Sequence, residues 1–259
     1  MKIVVCVKQV PDTWAEKKLS PTDQTLDRDS ADSVMNELDE YAVEEALQLA
    51  EKHSGEVTVL TMGPEKAAET IRKALSMGAD AGIHVVDDGI HGSDALATST
   101  VLAKALGTVA WDVVILGSES TDARMSVVPA MLAERLGVPQ LTFAEKLDVD
   151  GTTVRIQRQT EYGHDVVEAS TPAIVSVVEK INEPRYPSFK GIMAAKKKPL
   201  TTLTLADLGL DPAGVGLAAA WSKVDEATAR PPRAAGTIIK DEGDGGVQLA
   251  DFLASQKFI

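Results

Sequence analysis

Apolar residues follow two rhythms along this chain, and the rhythm changes near residue 141. Before that point, short continuous apolar runs alternate with stretches in which apolar residues return every three or four positions. Ile3 to Val7 is the first run. It is β-branched and uninterrupted, the pattern of a strand buried on both faces. Asn36 through Ala50 carries a stripe of Leu38, Ala42, Val43, Ala46, Leu47 and Ala50, with Glu40, Glu44, Glu45, Gln48 and Glu51 on the water side, which predicts an amphipathic helix. Glu56 to Thr61 is a second strand, closed by Met62-Gly63. Pro64 then opens a helix where a missing N–H costs nothing, Ala67, Ala68, Ile71, Ala74 and Leu75 supply its core face, and Gly78 supplies a left-handed stop. Ile83 to Val86 is a third strand, and Ser93 caps a helix that runs to about Leu106. Asp112 to Leu116 is a fourth strand, ending at Gly117; a loop from Ser118 to Asp122 leads into a helix near Val127 to Leu136.

Strands alternating with helices over short connections predict an α/β fold, a doubly wound and mainly parallel sheet with helices on both faces. Ligands in such sheets sit beyond the carboxyl ends of the strands, where strand order reverses. That rule selects the segment after Val7, the Met62-Gly63 corner and the loop from Gly117 to Ser126. After Leu141 the period shortens. Phe143 to Val149, Thr153 to Gln159 and His164 to Ala169 read as three antiparallel strands, with Asp150-Gly151 and Tyr162-Gly163 as turns, and Ala173 to Val178 as another buried strand. The expected division is therefore 1–182 as the α/β domain, 183–199 as a partner-recognition loop and basic helix, and 200–259 as a C-terminal arm. That arm carries little core signal beyond a helix at Val247 to Ser255 and is expected to lie on a partner subunit.

Charge narrows the classes of partner. The 259 residues hold 26 Lys plus Arg against 39 Asp plus Glu, a formal net charge of −13, which argues against a nucleic-acid backbone as the main partner. The single cysteine, Cys6, excludes an internal disulfide and a cysteine-built metal site. The four histidines show no HExxH spacing, and GxGxxG, GxxxxGK[ST] and GxSxG are absent, so no catalytic or metal residue is assigned. No apolar window approaches the ~18 residues of a membrane span, so the chain reads as a soluble cytoplasmic protein. One stretch runs against the acidic balance. Pro184 to Lys198 holds Arg185, Lys190, Lys196, Lys197 and Lys198 and no acidic residue, with Phe189, Ile192 and Met193 among them. It reads either as a docking island that steers an acidic partner or as a solvated loop with a lysine-tipped helix end.

The loop Gly117-Ser118-Glu119-Ser120-Thr121-Asp122-Ala123-Arg124-Met125-Ser126 is the leading ligand candidate. Its backbone N–H groups and the following helix start can hold a phosphate, Arg124 adds charge, and the hydroxyls add donors. The competing reading is a plain strand-to-helix connection capped by Asp122 or Ser126. Cys6 reads as a small buried hydrophobe and Asn36 as a helix cap. Trp14 stands out because it lies in a polar loop just past the first strand.

Several of these segments, taken in order, resemble the β (small) subunit of electron transfer flavoproteins. They are Val7-Lys8-Gln9-Val10-Pro11-Asp12, Asn36-Glu37-Leu38-Asp39-Glu40-Tyr41-Ala42-Val43-Glu44-Glu45-Ala46, Arg72 to Asp80, and Asn182-Glu183-Pro184-Arg185-Tyr186 through Gly191 to Lys198. The likeness spans essentially the whole chain, includes Leu203 to Gly209, and is similar to the actinobacterial branch. The resemblance implies a Rossmann-like adenine-nucleotide-binding sheet with an antiparallel extension and an arm that wraps a partner. It implies a heterodimer whose α subunit holds most of the FAD contacts, and a structural AMP in the β subunit. The AMP positions would be Cys6, Asn36, Asp39, Met62 with Gly63, Gly117, and the loop Asp122, Arg124, Met125, Ser126, Val127 and Val128. Many relatives carry Thr-Gly where this chain has Met125-Ser126, and losing glycine restricts close backbone approach to a phosphate. The helix start Asn-Glu-Leu-Asp favours AMP over the second FAD of bifurcating members. Thr13 and Trp14 would approach the α-subunit flavin; the basic segment would be the recognition loop that inserts one apolar side chain, Phe189, into partner dehydrogenases, where relatives often have leucine, with Ile192 and Met193 beside it and Lys196, Lys197 and Lys198 steering the encounter.

The function that the resemblance implies is that of an electron carrier. It would pass electrons from flavin dehydrogenases, such as the acyl-CoA dehydrogenases of fatty acid oxidation, towards a membrane quinone reductase. The cofactor supplies the redox chemistry. A stand-alone adenine-nucleotide-binding stress protein would lack the basic segment and the tail. A synthetase would need a glycine-rich pyrophosphate loop such as SGGxDS.

Overall fold

The computed structural model describes residues 1–233 and 235–259 and divides into two units, Met1–Asp225 and Glu226–Ile259. The first unit is built on a nine-stranded sheet ordered β11-β5-β4-β1-β6-β10-β7-β8-β9. These strands are β1 (Lys2–Cys6), β4 (Glu56–Met62), β5 (Ala81–Val85), β6 (Val113–Gly117), β7 (Gln140–Asp150), β8 (Thr153–Thr160), β9 (Gly163–Ser170), β10 (Ala173–Val177) and β11 (Leu200–Leu203). Every pairing from β11 to β7 is parallel; β7–β8 and β8–β9 are antiparallel. A separate ribbon pairs β2 (Gln9–Pro11) with β3 (Ser33–Met35).

The continuous apolar runs do what their pattern dictates. Ile3, Val5 and Val7 face one layer, with Val57, Val59, Val113 and Ile115; Val4 and Cys6 face the other, with Leu60, Val114 and Leu116. Helices α1 (Glu37–His53) and α2 (Ala68–Met77) cover the first face, and α3 (Ala95–Leu106) and α4 (Val128–Leu136) the second. The chain moves outward from β1 to β4 and β5, then returns to lay β6 on the other side of β1. Strand order therefore reverses between β1 and β6, and a ligand crevice is expected beyond their carboxyl ends.

Several expectations need correction. The group expected as three antiparallel strands is mixed: β7 also pairs with β10 in parallel, which welds the antiparallel extension onto the main sheet. Asp94, not Ser93, caps α3, accepting from the Ala97 N–H at 2.9 Å, while Ser93 Oγ donates to the Ile90 carbonyl. Gly78 ends α2 at φ 147°, ψ −19°, outside the left-handed helical well. Pro64 precedes a short 3₁₀ turn rather than opening α2. Glu44 and Glu45, placed on the water side by periodicity, are buried.

The largest difference lies beyond Pro199. Leu200–Leu203 adds an edge strand beside β5, and Leu205, Leu208 and Val215 enter the second core layer, so this stretch belongs to the first unit rather than to an arm. A four-residue helix α6 (Gly216–Ala219) follows. The second unit contains α7 (Gly245–Ser255), which carries exposed Val247, Leu249 and Phe252.

Candidate functional site

The first turn of α1 stitches the crevice together. Asn36 occupies the N-cap position, but its side chain makes no cap hydrogen bond. It reaches across instead: Nδ2 donates to the Glu119 carbonyl at 2.9 Å, and Oδ1 accepts from the Thr121 N–H at 3.0 Å. One turn on, Asp39 accepts from the Lys8 N–H at 2.7 Å and from the Gly117 N–H at 3.2 Å. One carboxylate thus spans the ends of both strands that define the reversal of strand order. Gly117 has to be glycine here, because a Cβ would stand 2.5 Å from Asp39 Oδ1.

Burial pushes the Asp39 carboxyl up to about 7, against the pull of its hydrogen-bond donors and Lys8. Between its ordinary value of 3.8 and about 7, the folded chain holds a proton that the unfolded chain has released. Asp39 therefore makes stability fall as pH rises across that window and is neutral above it. Asp39→Asn should remove this fall while forfeiting one accepted N–H bond. Thermal melts should show the variant closing on the wild type from pH 5 to 7 and running parallel above pH 8; parallel curves throughout would refute the assignment.

Asp122 does not cap α4, and neither does Ser126; the cap position is Val127, with no side-chain bond. The Asp122 side chain is 1% exposed and lies between two cations, Lys8 Nζ at 2.7 Å and Arg28 Nη2 at 3.0 Å. Burial alone would raise its pKa; the two cations overcome this and hold the carboxyl below its usual range. Lys8 also donates to Ser120 Oγ, and Arg28 to the Gln9 carbonyl. Arg28 carries no signal in the sequence. It sits 94 residues from Asp122, in a loop without periodicity, and no local pattern marks it.

Arg124 and Ser126 lie at φ 50° and 55°, the left-handed region that favours glycine. The chain thus adopts at Ser126 the backbone conformation that glycine would take without strain, and the Ser126 hydroxyl steadies the loop by donating to Glu119 Oε2 at 3.0 Å. Met125 is exposed. Cys6 is buried and its thiol is pushed up by that burial, with Asp39 adding to the effect, so it is a packing residue. Met62 and Gly63 end β4 beside β1, with the His84 ring hydrogen-bonded to the Gly63 carbonyl. Hydrogen bonds and ion pairs thus unite Asn36, Asp39, Gly117, Asp122 and the loop, while Val127 and Val128 open α4 at the same edge of the sheet.

Known proteins share this chain's sequence over nearly its whole length. An electron transfer flavoprotein domain profile matches residues 23–208. The electron transfer flavoprotein subunit beta of Mycobacterium leprae is 56% identical over 99% of both chains. The subunit of the same name from Megasphaera elsdenii is 36% identical over 100% of both. The chain belongs to the electron transfer flavoprotein β-subunit family. The caffeyl-CoA reductase-Etf complex subunit CarD of Acetobacterium woodii is also similar, at 36% over 92% of both chains. An electron transfer flavoprotein β subunit is part of an electron carrier that works with a flavin, and it implies an α-subunit partner. Among the described residues, no helix is long and apolar enough to cross a membrane.

Two further sets of residues were expected in this β subunit. Trp14 is 95% exposed on the loop between β2 and β3, where Thr13 Oγ1 donates to Glu37 Oε1 at 2.9 Å. Arg28 ties the same loop to Asp122. Phe189, Ile192 and Met193 lie exposed on a short helix, α5 (Phe189–Ala195). Lys196 and Lys197 are at the surface, but Lys198 is not a free charge: its Nζ donates to three main-chain carbonyls at the end of α2.

Proposed function

We propose that this β subunit pairs with a larger α subunit holding most of the FAD contacts, and that its crevice between β1 and β6 binds AMP in a structural role. Electrons then pass from flavin dehydrogenases towards a membrane quinone reductase, in the cytoplasm. The observation that carries the nucleotide assignment is the unfinished polar chemistry of the loop. Thr121 Oγ1 is buried without a partner, and the first turn of α4 begins without a side-chain cap. A phosphate at that helix start would meet orphan N–H groups and the positive end of the helix dipole. The Arg124 guanidinium and the Ser126 main-chain N–H would complete the donor set, and Cys6 and Met62 would contribute main chain.

The bound flavin supplies the redox chemistry. This chain contributes a loop that carries Thr13 and Trp14 towards it, and a helix that presents Phe189, Ile192 and Met193 to dehydrogenases. The second unit, with exposed apolar residues on α7, is read as the arm that lies on the α subunit. The resemblance over the full length of other β subunits disfavours a stand-alone nucleotide-binding protein. Co-expression with the α subunit, followed by denaturation and nucleotide identification, should release AMP and FAD in equal amounts. A second FAD in place of AMP would reassign the crevice to a flavin, and recovery of FAD alone at one per heterodimer would refute nucleotide binding there.

A further inference from the structure

Helix α5 has only seven residues, one of them glycine, and a helix that short does not persist in water on its own. Ser188 caps it by accepting the Gly191 N–H at 3.0 Å, but one cap does not hold such a helix. It is held from outside, at both ends. Ahead of it, Arg185 grips α1 through a forked pair of bonds to Glu44, Nε to Oε2 at 2.7 Å and Nη2 to Oε1 at 3.0 Å. Its Nη1 also donates to Glu51 at 2.6 Å, and its main-chain N–H donates to Glu44 as well. Behind it, Lys198 Nζ donates to the carbonyls of Leu75 and Gly78 at 3.0 Å and of Ala79 at 2.5 Å. Leu75 is in the last turn of α2 and Gly78 and Ala79 follow it directly, so the ammonium also meets the negative end of the helix dipole. Between the two grips, Gly191 lies so close to the Ser76 carbonyl that no side chain would fit, and Ala195 is buried in the core.

We propose that α5 is a pre-formed docking element and that Arg185 and Lys198 are its positioning residues, holding its apolar face ready before any partner arrives. This rests on the reading of residues 183–199 as the docking segment. It divides the basic island by task. Lys190, Lys196 and Lys197 face solvent and serve attraction, whereas Arg185 and Lys198 are committed inward and serve geometry. Pre-ordering removes from the encounter the entropy of fixing α5, which favours fast association and a low KM.

The test uses the complete heterodimer and a purified acyl-CoA dehydrogenase as electron donor. Hydrogen exchange of residues 189–195 and the KM and kcat for transfer are measured on Lys198→Met, Lys198→Arg, Lys196→Met and Phe189→Ala. Loss of the charged hydrogen bonds at Lys198 should leave about nine-tenths of the molecules with α5 unformed, so that its exchange approaches the unprotected rate and KM rises about tenfold, with kcat and flavin content unchanged and arginine restoring both. Lys196→Met should leave exchange at the wild-type rate, and Phe189→Ala should raise KM without altering exchange. Wild-type exchange in Lys198→Met, or faster exchange with an unchanged KM, overturns the inference while leaving the docking reading intact. A wild-type KM in Phe189→Ala overturns the docking reading, and the inference with it. Should Lys198→Met fail to fold, Arg185→Lys replaces it, because a lysine cannot reproduce the forked contact and should give the same two changes.

Discussion

Asp122→Ala should destabilise the β subunit by about 2–3 kcal/mol and, on the proposed reading of the crevice as an AMP site, release AMP from the purified complex. Breaking a fully buried ion pair costs roughly 3–5 kcal/mol because a charge is left without a partner. Here the carboxylate is buried, but the Lys8 and Arg28 side chains are 38% and 39% exposed, so water relieves part of the loss. The functional effect exceeds the stability effect. Asp122 holds the loop whose backbone bends through left-handed conformations at Arg124 and Ser126, and strained backbone persists only where its surroundings enforce it. Without the anchor, the donors of the loop lose their fixed positions. Thermal melts and nucleotide extraction on the same preparation check both halves. Asp122→Asn separates them, since it keeps the shape and loses the charge. A variant that retains stoichiometric nucleotide would show that the ion cluster does not shape the crevice.

Leu205→Ala should cost about 2–5 kcal/mol, the range for emptying a leucine site in a packed core. Leu205 is 0% exposed and packs in the layer that contains Ile83, Val85 and Ile90. A comparable change at Leu249 of α7, which is exposed, should leave the melting of the first unit unaltered. The contrast would place the division between domain and tail between residues 205 and 249, not at 199, in keeping with the units Met1–Asp225 and Glu226–Ile259. Equal, small effects from both variants would mean that the stretch after β11 is dispensable for the fold.

The reach of sequence reasoning tracks how local each signal is. Strand β1, helix α1 and the ends of β4 and β6 were legible because burial on both faces, or on one stripe, writes a period into a short window. The crevice was legible too, because reversal of strand order is a property of the alternation itself. Four things escaped. Strand β11 is an edge strand with most of its side chains exposed, so its four residues carry no hydrophobic period. Glu44 and Glu45 look like water-facing residues in any helical wheel; their partners, Arg185 and Asn182, lie more than 130 residues away. Asn36 was legible as a helix start but not as a bridge, because its partners at Glu119 and Thr121 come from another element. The family resemblance supplied Asp39, which spacing alone would not have singled out; Phe189 already stood out as an apolar residue in the basic island, and the resemblance gave it its role. Neither route revealed Arg28.

Helix α1 now has a meaning that its amphipathic pattern did not convey. Asp39 fastens it to the crevice at one end, and Glu44 and Glu51 fasten the docking segment further along. Between Asp39 and Glu51 the helix rises about 18 Å. Fixed at both places, it can neither slide nor turn, so the separation of the two sites is measured out by helical pitch, as by a ruler. Inserting or deleting one residue between those anchors would swing one set about 100° around the axis relative to the other. Point substitutions on its surface can accumulate, but its length between the anchors is not free to change.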